Sequence, residues 1–158
     1  MDKKRLVAIR IQGKSGLRKG IKDTLNMLRL YKKHSCVIVQ NEKDILGMIK
    51  KINNYITWGE IDQETLALLI KKRGKLARKK SLTEEYVKEK LKISIDTLAK
   101  EIFEFKRELK EVPGLKLFFK LLPPRGGFET GGIKEQFSKG GVLGYRKDKI
   151  NDLIKRMI

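Results

Sequence analysis

Gly13-Lys14-Ser15 stands between an alternating apolar run and a helical pattern, the place where a nucleotide-binding loop would cradle phosphates. That chemistry needs a second glycine five positions before Gly13, and Ala8, inside the apolar run, occupies the position. The residues fit a simpler task. Lys14, Arg18 and Lys19, with Lys22 just beyond, form a cationic loop whose glycines let the backbone come close to RNA phosphates. The plain alternative is a solvated loop. A second stretch runs from Pro123 to Gly144 and holds seven of the chain's fourteen glycines. It cannot be a regular element. Arg125, Lys134 and Lys139 supply charge, Gly126 and Gly127 expose backbone amides, and the segment suits a loop moulded against folded RNA. Disorder in the free protein is compatible with this, with ordering on binding. Arg146 just beyond the loop, and Arg78, Lys79 and Lys80 in a basic connector, complete the candidate RNA contacts.

Reactive constellations are missing from the sequence. It holds one histidine and one cysteine, and its acidic residues are mostly interleaved with lysines at helical spacing. No nucleophile and base pair, and no carboxylate cluster for a metal, can be assembled from them. His34 with Cys36 falls short of a structural zinc site, so no cofactor is expected. Cys36 lies in the apolar run Cys36-Val37-Ile38-Val39 and reads as a small buried hydrophobe in a reducing cytoplasm. Tyr55, Trp58 and Phe128 have the flat faces needed to stack on bases; core packing is the competing role for each.

The elements that must position these loops follow from periodicity. Val7, Ile9 and Ile11 alternate and argue for a strand with one face inward. Ile21, Leu25 and Leu28 fall at helical spacing, Cys36 to Gln40 reads as a strand, and Asn41 suits the cap of a second helix with Ile45, Met48, Ile49, Ile52 and Ile56 as its stripe. Residues 57–61 read as a third strand. The order βαβαβ within residues 1–62 predicts a two-layer sandwich with both helices on one face. Residues 63–114 read as a helical extension: Asp62 caps one helix ending near Gly74, Ser81-Leu82-Thr83-Glu84 fits a capping box, and Ser94 caps a helix ended by Pro113-Gly114. Residues 115–158 supply a strand over 115–122, the glycine-rich loop, and a terminal helix with Ile150, Leu153, Ile154 and Met157.

Charge then selects the partner. Thirty-eight Lys and Arg against nineteen Asp and Glu give a formal +19 in 158 residues, and a compact body so charged is relieved of self-repulsion by a polyanion. From Ser81 to Glu111 eight acidic and seven basic residues nearly cancel, leaving +20 for the rest. The RNA-binding surface is therefore expected outside that segment, which reads as a solvated or protein-facing appendage. No long apolar run, leader or lipidation signal supports a membrane. Irregular glycine-rich cationic loops favour folded RNA over a DNA groove.

Ile21-Lys22-Asp23-Thr24-Leu25-Asn26-Met27-Leu28-Arg29-Leu30, His34-Ser35-Cys36, Gly47-Met48, Tyr55-Ile56-Thr57-Trp58-Gly59-Glu60 and Gln63-Glu64-Thr65-Leu66 together resemble the universal ribosomal large-subunit protein family L-thirty, called L-seven in eukaryotes. Pro123-Pro124-Arg125-Gly126-Gly127 and Lys139-Gly140-Gly141-Val142-Leu143-Gly144-Tyr145 look like its extended archaeal form. The resemblance runs in order along nearly the whole chain and is weakest over 81–111. It implies an α+β, ferredoxin-like βαβαβ core with a helical insertion and a glycine-rich C-terminal extension. It also implies binding to large-subunit ribosomal RNA near the 5S RNA, neighbouring ribosomal proteins, and no catalytic activity or small-molecule substrate. A non-ribosomal regulatory RNA-binding protein remains the alternative.

Overall fold

The computed structural model describes residues 3–158. Three strands, β1 (Arg5–Arg10), β2 (Ser35–Gln40) and β3 (Ile56–Glu60), alternate with two helices, α1 (Lys19–Met27) and α2 (Lys43–Lys51). β1 lies between β2 and β3 and pairs antiparallel with both, Val7 opposite Ile38 on one side and Gly59 on the other. Leu6 and Ala8 of β1 pack with Leu25 and Leu28 of the first helical segment and with Ile49 and Ile52 of the second. This is the expected ferredoxin-like unit, α+β with its two helices on one face.

The other face of the sheet is also covered. Every residue of β1 is buried, so the strand expected to have one face inward has two. Val7, Ile9 and Ile11 pack against Leu66, Leu69 and Ile70 of α3 (Gln63–Arg73) and against Leu98, Ala99 and Ile102 of α5 (Ile95–Phe103). Alternation still marks the pleat, but apart from Arg5 and Arg10 at the strand's ends both sets of side chains are apolar. That is the signature of a strand between two layers rather than one facing water. The 81–111 segment is accordingly no solvated appendage: Val87 of α4 (Glu84–Leu91) and the inner residues of α5 belong to the core, while the near-cancelling charges lie on its outer side.

Local signals set most helix ends. Asp62 accepts from the Thr65 amide at 2.7 Å and Ser94 from the Thr97 amide at 3.2 Å, as expected of N-caps. Thr83, not Ser81, caps α4, accepting from the Tyr86 amide at 3.2 Å. Ser81 is instead held in a bridge to Lys75. The α2 helix starts after Glu42 with no side-chain cap, and the Asn41 side-chain Oδ1 accepts from the Lys4 amide instead.

The last third of the chain completes the sheet. β4 (Phe119–Lys120), shorter than the strand expected over 115–122, pairs antiparallel with β2. β5 (Gly144–Tyr145) pairs parallel with β3, and the order is β4-β2-β1-β3-β5. Helix α6 (Ile150–Met157) buries Ile150, Leu153, Ile154 and Met157 in the second layer. Gly59 is required where this helix begins: a Cβ there would collide with the Lys147 carbonyl oxygen and meet the Ile150 side chain at 3.0 Å. Among the described residues no helix is long and apolar enough to cross a membrane.

Candidate nucleic-acid interface

The end of the sheet where β1 finishes and β2 and β3 begin gathers four connections. Ile11 and Gln12 donate their amides to the Tyr55 carbonyl before β3, and the His34 amide before β2 donates to the Arg10 carbonyl at 2.7 Å. Leu121 donates to the His34 carbonyl, so the chain enters the glycine-rich stretch at this same end. Gln12 Nε2 then donates to the Ile133 carbonyl at 2.6 Å, tying the first cationic loop to the glycine-rich one. Two segments 121 residues apart in sequence thus form one surface. Lys14, Arg18, Lys19 and Lys22 are exposed on the first, and Arg125, Lys134 and Lys139 with Gly126 and Gly127 on the second.

Arg10 shapes the first loop from beneath. It is 2% exposed, and its guanidinium donates to the carbonyls of Gln12, Gly13 and Leu30 at 2.9, 3.1 and 2.8 Å. Burial lowers its pKa from the ordinary arginine value. A basic residue on a strand offers no sequence signal of such a role unless the neighbouring strands are already placed. Arg5 is a second case: it is 4% exposed, donates to the Ile102 carbonyl at 2.8 Å, pairs with Glu108 at 3.0 Å and lies over the Phe105 ring at 4.1 Å.

Arg146, expected among the RNA contacts, is the third, and here the structure corrects the expectation. Its side chain is 1% exposed. Nη1 pairs with Glu129 at 2.7 Å, Nε donates to Thr57 Oγ1 at 2.7 Å and Nη2 to the Val142 carbonyl at 2.8 Å, with Phe137 stacked 4.7 Å away. Four of the five guanidinium N–H donors are answered by protein, Nη2 also reaching Glu129 Oε2 at 3.3 Å, and so buried a side chain is not presented to a phosphate. Burial pushes the Glu129 carboxyl up, but the hydrogen bond from Arg146 and the charges of Arg146 and Arg156 outweigh it and hold the group below its ordinary value.

The same pair fixes the loop expected to be free until RNA orders it. Around Glu129 and Arg146 the backbone folds on itself: Gly131 donates to the Gly140 carbonyl, Val142 to those of Gly132 and Glu135, and Phe137 to that of Leu143. Arg156 of α6 donates to the Gly127 carbonyl at 2.7 Å, and the Arg125 amide to the Arg156 carbonyl. The glycines serve this close folding, since a Cβ at Gly141 would strike the Glu135 carbonyl. The outer cations therefore stand on a preformed scaffold, which lowers the ordering entropy that binding would otherwise cost.

Arg78, Lys79 and Lys80 are exposed at the tip of a tight hairpin closed by the Lys75 to Ser81 bridge and by the Leu76 amide donating to the Lys80 carbonyl at 2.6 Å. Arg78 and Lys79 both have left-handed backbone, φ 61° and 64°, which costs a non-glycine residue on the order of 1 kcal/mol each. The hairpin lies beside β4, the Lys116 amide donating to the Lys75 carbonyl at 2.9 Å. Lys79 thereby lines a cleft with Lys32, Lys75, Lys116 and Lys120, a grouping that no sequence spacing displays.

The candidate stacking residues are mostly occupied. Tyr55 and Trp58 pack against the α1 and α2 side of the core, and Phe128 packs against the other. Trp58 also donates from Nε1 to Asn53 Oδ1 at 3.0 Å and stacks on Tyr145 at 4.5 Å.

Fold and surface together define a mixed α/β protein that carries exposed cations on the loops at the end of its sheet where β2 and β3 begin. The family model for ribosomal protein L30p/L7e matches residues 6–56, the βαβαβ unit up to the first residue of β3. The large ribosomal subunit protein uL30 of Nanoarchaeum equitans is 52% identical over 149 residues, covering 94% of this chain and 96% of the relative. That of Methanopyrus kandleri is 46% identical over 94% of this chain and 100% of the relative, and that of Methanococcus vannielii 47% identical over 95% and 97%. The chain belongs to the L30p/L7e family of ribosomal proteins, in the long form that its archaeal relatives share.

Proposed function

We propose that the chain is a structural constituent of the large ribosomal subunit, holding ribosomal RNA through the cationic loops at the β2–β1–β3 end of its sheet. The observation that carries this reading is the near end-to-end match to relatives named as large-subunit proteins. The loop geometry supports it: Lys14, Arg18 and Lys19 stand beside a glycine-rich scaffold bearing Arg125, Lys134 and Lys139. Phosphate contacts from such residues position a protein on RNA without reading its sequence. The role is non-enzymatic and uses no cofactor, small-molecule substrate or membrane. Its setting is the cytoplasmic ribosome, near the 5S RNA, among neighbouring ribosomal proteins, as the family resemblance implies. Sedimentation tests it: in a low-salt gradient of cell extract the protein should run stoichiometrically with the large subunit. A mostly free pool would overturn the assignment and favour a separate RNA-binding regulator.

A further inference from the structure

The cleft beside β4 lies apart from the loop scaffold and combines two features that recognition of unpaired RNA requires. Lys32 and Lys120 flank it from the β2 side, Lys75 and Lys79 from the hairpin, and Lys116 from the chain leading into β4. Among the described residues none of these five ammonium groups has a carboxylate within 4.0 Å. Their field is unopposed, and it suits a run of phosphates.

Two aromatic rings stand among these lysines. Tyr31 and Phe118 meet edge to face, centroids 5.4 Å apart and planes at 82°. In such a pair at least one face of each ring is left free by the other. Tyr31 is 41% exposed, and among the described residues its hydroxyl makes no hydrogen bond to protein. Tyr145, equally exposed, differs: its ring lies on Trp58 and its hydroxyl donates to Glu60. Burial, then Glu60, pushes that hydroxyl up to about 12. Tyr31 is the ring that the fold leaves available.

A duplex would offer this cleft phosphates but keep its bases stacked inside, leaving the open ring unused. A bulge, loop or single strand offers both, and bases of any identity stack on an aromatic face. We propose that this cleft binds an unpaired nucleotide of RNA, its base stacked on Tyr31 and its flanking phosphates held by Lys32, Lys79, Lys116 and Lys120. The inference rests on the RNA-binding reading above and deepens it by naming the form of RNA taken at this second surface.

The test uses the full chain and a short mixed-sequence oligoribonucleotide carrying 2-aminopurine at its centre, alone and annealed to its complement. The wild-type chain should bind the single strand more tightly than the duplex and quench the 2-aminopurine. Tyr31→Ala should weaken single-strand binding about tenfold and abolish the quench while leaving duplex binding unchanged, and Tyr31→Phe should retain both. Lys79→Ala with Lys120→Ala should lower affinity for both forms and flatten the single-strand salt slope by about 1.4. Wild-type affinity and quench in Tyr31→Ala would overturn the proposal, as would displacement of the single strand by polyglutamate as effective as by unlabelled RNA, which would mark an acidic-protein surface. Isolated large-subunit RNA serves as the control. If the wild-type chain binds it while Tyr31→Ala changes nothing, the cleft assignment alone falls; if the wild-type chain does not bind it, the RNA reading falls and this inference with it.

Discussion

Arg146 and Glu129 show how little a residue's charge alone says about its task. Glu129 lies in the glycine-rich, cationic stretch and Arg146 just beyond it, yet the arginine is interior, and removing Glu129 leaves its buried charge unanswered. Arg146→Ala should lose about 3 kcal/mol of stability in urea denaturation. Arg146→Lys should recover little of it, because an ammonium cannot reach Glu129, Thr57 and the Val142 carbonyl from one plane. The pH dependence has a defined sign. Glu129 is held below its ordinary 4.5, so its contribution is fully present above that value and is lost as the pH falls through the lower folded-state value. Glu129→Gln should therefore be less stable than wild type at pH 7, and the gap should close as the pH is taken below about 4.5. A constant gap down to pH 2 would mean the pair contributes shape and not charge. The sequence showed the cations of this region but not which one turned inward, since burial of Arg146 depends on Thr57, 89 residues away, and on the loop folding Glu129 back onto it.

At the scale of elements, the βαβαβ unit was legible because its signals are local, alternation over Val7 to Ile11 and helical spacing over Ile21 to Leu28, and the caps at Asp62 and Ser94 likewise marked the helices α3 and α5 that follow it. What escaped was the second helical layer, because an alternating run with small Ala8 on one parity gives no measure of how much is covered on each side. The short strand β5 escaped as well, two residues being too few to carry a period, and β4 is only a two-residue part of the strand read over 115–122. Gly59 carries a testable constraint that only the assembled fold reveals. Gly59→Ala forces β3 away from the turn before α6 and should destabilise the domain by about 2 kcal/mol, measured as a lower urea midpoint at unchanged slope. The hairpin at Arg78 and Lys79 predicts the opposite balance. Lys79→Gly relieves a left-handed residue and should leave the melting temperature equal or higher, while RNA affinity falls through loss of one cation from the cleft. A lowered melting temperature would show that the Lys79 side chain, and not its charge toward RNA, holds the hairpin.

For the whole molecule the controlling quantity is the excess of +19, of which Arg5, Arg10 and Arg146 are spent on internal contacts and the exposed loop lysines and arginines are not. If about six of the exposed cations meet phosphates at once, the logarithm of RNA affinity should fall against the logarithm of salt with a slope of about −5. The combined Lys14→Ala, Arg18→Ala and Lys19→Ala variant should bring the slope to about −2.7 without altering the circular-dichroism spectrum, because these side chains lie outside the core. Loss of the spectrum would make the loop structural. The sheet order also fixes a sequence of events in synthesis. Both edge strands and α6 come from the stretch after residue 118, so a nascent chain lacking that stretch carries β2 and β3 with open edges and part of the Val7, Ile9 and Ile11 face uncovered. Exposed strand edges recruit other chains. The protein is thus most vulnerable to aggregation before its C-terminal segment emerges, and chains interrupted upstream of β4 should be drawn to chaperones or proteases rather than to RNA.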